Sequence, residues 1–114
     1  MKKTGLILIL LLFVFAQTAL AHPPSKIDIT YNPATKTVTA VIWHAVSNPK
    51  THFIKKVDIG LNSQEIGTLE FKEQENSKEQ TISYTLPSVR AGDKVSVEGY
   101  CNLSGNLTKD ITIA

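Results

Sequence analysis

Polar and apolar residues alternate through most of this chain in short runs, with turn residues between them. Ile27, Ile29 and Tyr31 alternate with Asp28 and Thr30, and Asn32-Pro33-Ala34-Thr35 then reads as a turn. Lys36 to Trp43 is rich in β-branched residues. His52 to Leu61 follows, with Phe53, Val57, Ile59 and Leu61 expected on one face. Gln64 to Lys72 carries Ile66, Leu69 and Phe71, with a bulge expected at Gly67. Gln80 to Leu86 puts Ile82, Tyr84 and Leu86 on one side. Pro87 and Ala91-Gly92-Asp93 interrupt the chain before Lys94 to Cys101, and Thr108 to Ile113 closes it. No segment has helical periodicity. About seven short strands of this kind predict an all-β fold, an immunoglobulin-like antiparallel β-sandwich.

The first residues follow a different pattern. Lys2 and Lys3 precede an uncharged apolar run from Gly5 to Phe15, and Ala19-Leu20-Ala21 offers the small residues of a cleavage site. Residues 1–21 therefore read as a signal peptide and 22–114 as one exported domain, periplasmic or secreted, with no membrane attachment after cleavage. Lys2 and Lys3 account for the formal charge of +2, so residues 22–114 are formally neutral. That balance gives no support to nucleic-acid binding. The stretch Glu73-Gln74-Glu75-Asn76-Ser77-Lys78-Glu79 reads as a solvated loop. Asn102-Leu103-Ser104 and Asn106-Leu107-Thr108 match the glycosylation acceptor pattern.

Candidate chemistry rests on three histidines and one cysteine. A single cysteine in an exported domain forms no internal disulfide, which leaves burial, pairing with another chain, or a metal. Strand parity puts Cys101 on the side of Val95 and Val97, and His44 on the side of Val38, Ala40 and Ile42. Both then end inward-facing rows. His52 opens the strand that carries Ile54 and Val57, and His22 opens the domain. Imidazole and thiolate together suit iron, copper or zinc. The chain carries no serine hydrolase triad, paired-carboxylate glycosidase pattern or phosphate loop.

Three local segments resemble one family. Tyr100-Cys101-Asn102-Leu103-Ser104-Gly105 is similar to the cysteine segment of the superoxide reductase (desulfoferrodoxin) iron domain. His44 with Pro49-Lys50-Thr51-His52-Phe53-Ile54 resembles its paired-histidine segment, and His22-Pro23-Pro24 its entry segment, all in the same order. The resemblance implies a desulfoferrodoxin-like sandwich holding iron through His22, His44 and His52, with Cys101 as an axial thiolate. It also implies superoxide, or another small anion, as the partner and an unidentified electron donor. Ser104 stands where the family has a fourth histidine, and the lysine that the family places before its first histidine has no counterpart. Two other functions remain open from the residues themselves. If cleavage leaves His22 first, its α-amine and ring with His44 or His52 would form a copper-binding brace. Alternatively, the sandwich is a non-catalytic interaction module.

Overall fold

The computed structural model describes residues 21–114, and all but the last residue of the expected leader lies outside the described residues. Among the described residues seven strands form: β1 (Lys26–Asn32), β2 (Thr37–Trp43), β3 (Ile54–Leu61), β4 (Gln64–Glu70), β5 (Glu79–Thr85), β6 (Lys94–Cys101) and β7 (Asn106–Thr112). They pair antiparallel into a three-stranded sheet, β1-β2-β5, and a four-stranded sheet, β4-β3-β6-β7. This is the all-β, two-sheet sandwich that the alternation predicts. Relative to a constant immunoglobulin domain, the fourth strand has left the first sheet and joined the second.

Turn chemistry sets the hairpins. Asn62 and Ser63 both take positive φ, 51° and 73°, as a two-residue loop requires for its twist to match the strands of the β3–β4 hairpin. Between β1 and β2, the Asn32 side chain accepts the Ala34 N–H at 2.9 Å, and Lys36 takes φ 55°.

The core lies between the sheets. Val38, Ala40 and Ile42 of β2 face Val57 and Ile59 of β3 and Val95 and Val97 of β6, with Ile27, Ile54, Ile82 and Leu86 completing the cluster. Each fully buried Ile or Val contributes about 1.5–3 kcal/mol of transfer free energy. Tyr84 crosses from β5 to lie over Gly67 of β4, where its hydroxyl donates to the Ile66 carbonyl at 3.2 Å.

Two irregularities correct the expected faces. A register shift between Ile54 and Lys56 lets Ile54 and Val57 point inward together. Ile54 is therefore the buried residue at the start of β3, and Phe53 is half-buried. In the β3–β4 pair, Ile59 faces Gly67 and Gly60 faces Glu65, so the extra residue is Ile66, one position before the bulge expected at Gly67. Ile66 is accordingly exposed.

Candidate metal centre

Four segments build one end of the sandwich: the strap of residues 21–25, the β2–β3 loop, the β4–β5 loop and the β6–β7 turn. Antiparallel register brings them together. Lys26 pairs with Trp43 at the start of β1, Glu79 pairs with Trp43 at the start of β5, and Ile54 pairs with Cys101 at the start of β3. The strap is held from both sides. Ser25 N–H donates to the Trp43 carbonyl at 2.8 Å, Pro24 is buried near Gly99, and Pro23 lies against Gly105.

His22, His44 and His52 meet at this end. Their ring centroids are 4.8 Å (His22–His44), 5.0 Å (His22–His52) and 4.8 Å (His44–His52) apart. One ligand nitrogen from each ring lies within 4.8 Å of the other two. Nitrogens sharing one ion sit roughly 3–4 Å apart for bonds of about 2.0–2.1 Å. Ring rotations on the order of 1 Å would close the set.

Each histidine arrives by a different local device. His44 continues the inward row of β2 one step past the strand and is completely buried, as parity requires. Its backbone stays anchored, with the N–H donating to the Lys78 carbonyl at 2.8 Å. His52 ends a turn that Asn48 organises. The Asn48 side chain accepts the Lys50 N–H at 2.9 Å, and its carbonyl accepts the N–H groups of Thr51 and His52 at 3.1 and 3.0 Å. His22 sits on the strap, outside any strand.

The hydrogen-bond inventory of the cluster has more acceptors than donors. His44 Nε2 lies 3.1 Å from the His22 carbonyl. His22 Nδ1 and Nε2 lie 3.0 and 2.9 Å from the carbonyls of Pro23 and Ala45. His52 Nε2 is buried with no partner. A neutral imidazole carries one N–H, so His22 can satisfy only one of its two carbonyls. Protonating His52 is opposed first by burial, which lowers its pKa from 6.5, and then by the neighbouring His44 and His22. The cluster contains no carboxylate to offset added protons. A divalent cation supplies the missing positive charge without protons. The donor set therefore fits a transition metal with a preference for nitrogen.

Cys101 occupies the inward position that its parity predicts, with 4 % exposure. Its Sγ accepts the Leu103 N–H at 3.4 Å. The thiol lies outside the three-histidine group, although the turn that carries it is bonded to the His52 segment. Asn102 N–H donates to the Phe53 carbonyl at 2.9 Å. The Asn102 side chain accepts Phe53 N–H at 2.8 Å and donates to the Thr51 carbonyl at 3.1 Å. The amide matched to a glycan acceptor thus braces the loop beside His52. Ser104 is exposed on the same turn.

Sequence reasoning missed Gln74. The stretch around it is exposed, as expected of a solvated loop, but Gln74 itself is 3 % exposed and bonds to the His44 ring. Its neighbours in sequence are all polar and give no periodic signal for burial.

Comparisons with known protein families, curated proteins and solved structures found no match. The class defined by fold and site is an all-β sandwich with a three-histidine candidate metal site.

Proposed function

We propose that residues 22–114 form an exported transition-metal domain, related to the superoxide reductase iron proteins, that transfers single electrons to a small anion. The observation that carries this reading is the convergence of three imidazoles around a donor-poor centre, with His52 Nε2 buried and unpartnered. His22, His44 and His52 would hold the ion. The Cys101 sulfur, on the turn bonded to the His52 segment, would be recruited as a further ligand when the metal binds. Iron held there would supply one-electron chemistry, the reduction of superoxide with two protons to hydrogen peroxide, with the electron coming from an unidentified donor. The protein's own part is to disfavour protonation of His52 by burial, to orient the rings, and to keep carboxylates out of the cluster.

Ser104 distinguishes this centre from the four-histidine family pattern. A neutral hydroxyl is a poor iron ligand, so the chain would offer an ion one imidazole fewer than the family does. Copper is the second reading, favoured by the presence of His22 in the cluster: a mature chain beginning at His22 would add an α-amine to the nitrogen set.

Metal analysis of the exported protein, combined with superoxide consumption under a reductant, tests the proposal. Stoichiometric iron, with a visible sulfur-to-iron charge-transfer band that disappears in Cys101→Ala, is the expected result. Copper that is lost when one residue is added before His22 would replace iron with the brace. A protein that takes up no metal, and whose stability none of iron, copper or zinc alters, would overturn the proposal.

A further inference from the structure

Gln74 makes more directed hydrogen bonds around the cluster than any of its histidines. Its Nε2 donates to the His44 carbonyl at 2.8 Å and to the Asn76 carbonyl at 2.9 Å. Its Oε1 accepts the Ile54 N–H at 3.2 Å and lies 2.8 Å from His44 Nδ1. Its own N–H donates to the Pro49 carbonyl at 2.9 Å. The amide orientation is thereby fixed, because a flipped amide would put oxygen against two carbonyls and an N–H against another N–H. Oε1 must therefore accept from His44, and His44 Nδ1 must carry the ring proton.

We infer that Gln74 is the positioning residue of the centre: it holds His44 as the Nδ1–H tautomer and leaves the Nε2 lone pair for the metal. The inference rests on the metal-binding reading above and adds which His44 nitrogen binds and why. An outer hydrogen bond of this type fixes the tautomer and ring orientation of a ligand histidine. Gln74 also pins the β2–β3 loop, which supplies both His44 and His52, at its two ends and its middle. It joins the His44 backbone at the end of β2 to Ile54 N–H at the start of β3 and to Pro49 in the loop before His52. A ring rotation at His44 would have to break the Oε1 bond, so the imidazole is oriented before the ion arrives. His44 Nε2 faces the His22 carbonyl at 3.1 Å, an acceptor that an Nδ1–H ring leaves unmatched, so the His22 strap must shift to admit an ion. His22 itself has no side-chain partner at either nitrogen. His44 is therefore the preset ligand and His22 the adjustable one.

The experiment uses the metal-free folded protein, with ¹⁵N-labelled histidine side chains observed at pH 8, followed by titration with cobalt(II) alone. His44 should show Nδ1 protonated and Nε2 unprotonated. Gln74→Met should mix the two tautomers and weaken cobalt(II) binding by about 10–100-fold, in line with the loss of an outer partner. Gln74→Glu loses the two donations to the His44 and Asn76 carbonyls, and so some stability, but keeps an acceptor for Nδ1. Where it folds, the Nδ1–H form should persist and affinity should stay closer to wild type than in Gln74→Met. Should Gln74→Met fail to fold, the wild-type tautomer and the Gln74→Glu titration decide the matter. An Nε2–H tautomer in the wild type would overturn the inference. So would unchanged tautomer and affinity in a folded Gln74→Met. Wild-type protein with the expected tautomer but no cobalt(II) uptake would count against the metal reading and leave the hydrogen-bond assignment standing.

Discussion

Replacing Gly105 with alanine should weaken metal binding by displacing a ligand from a distance, and Gly92→Ala provides the matched control. Gly105 takes φ +87° and Gly92 φ +92°, so alanine at either position meets the same left-handed backbone strain. That strain costs about 1–2 kcal/mol, or roughly 5–15 °C in Tm for a domain of this size. The surroundings differ. A Cβ at Gly92 meets nothing within 4 Å, whereas at Gly105 it would lie 2.8 Å from Pro23 Cβ and 3.1 Å from Pro23 Cα and Cδ. Proline has no rotamer to swing aside, so the strap must lift, and His22 immediately precedes Pro23. Losing the position of one of three imidazoles should weaken metal binding by about 10–100-fold, the range seen for disturbed ligand support. Thermal or urea unfolding of both metal-free variants, with a cobalt(II) titration of each, separates the two effects. Both should lose the backbone-strain increment, Gly105→Ala somewhat more because of the Pro23 clash, and only Gly105→Ala should lose affinity. Equal affinities in the two variants would refute the argument that the strap delivers His22 to the cluster.

Three further outcomes follow from other parts of the fold. Burial and the neighbouring histidines lower the His52 pKa below 6.5, so the unfolded chain binds the proton more readily than the native one. The stability of the metal-free protein should therefore be fully present above about pH 6.5 and decline as pH falls through that value; urea midpoints from pH 8 to 5 should show a smaller decline in His52→Gln. Tyr100 is pushed up to about 12 by burial and then by the Glu98 and Asp58 carboxylates. Ultraviolet titration should show a tyrosinate step near pH 12 that is absent in Tyr100→Phe. Gly67→Ala would drive a methyl into the Tyr84 ring; a loss of about 1–3 kcal/mol in urea unfolding is expected, and it should largely vanish in a Tyr84→Ala background.

The strands were legible because both sheets bury one face, so inside and outside alternate along the chain. Val38, Ala40, Ile42 and His44 form one buried row, and Val95, Val97, Gly99 and Cys101 another. Parity could therefore place His44 and Cys101 inward before any coordinates. It failed at Phe53 and Ile54, where the register shift breaks the alternation. A bulge depends on the partner strand, and a single strand's sequence does not contain that partner. Nor could parity say that the three rings gather as a group from which the thiol is excluded, since that distance depends on where the strap, one loop and a turn come to rest. Gln74 was invisible for a related reason. It lies 30 residues from His44 in sequence, within a charged loop whose other members are solvated. The only clue would have been that a buried histidine past a strand end needs an acceptor for its second nitrogen.

His22 stands outside every strand, and that placement gives an ion a second effect. Bridging His22 to His44 and His44 to His52 would close one loop of 22 residues and another of 8, a covalent-like cross-link in a domain whose solitary cysteine cannot make one internally. A chelator would then loosen the entire sandwich as well as empty the centre. Survival of the protein against proteases would follow the supply of metal around it.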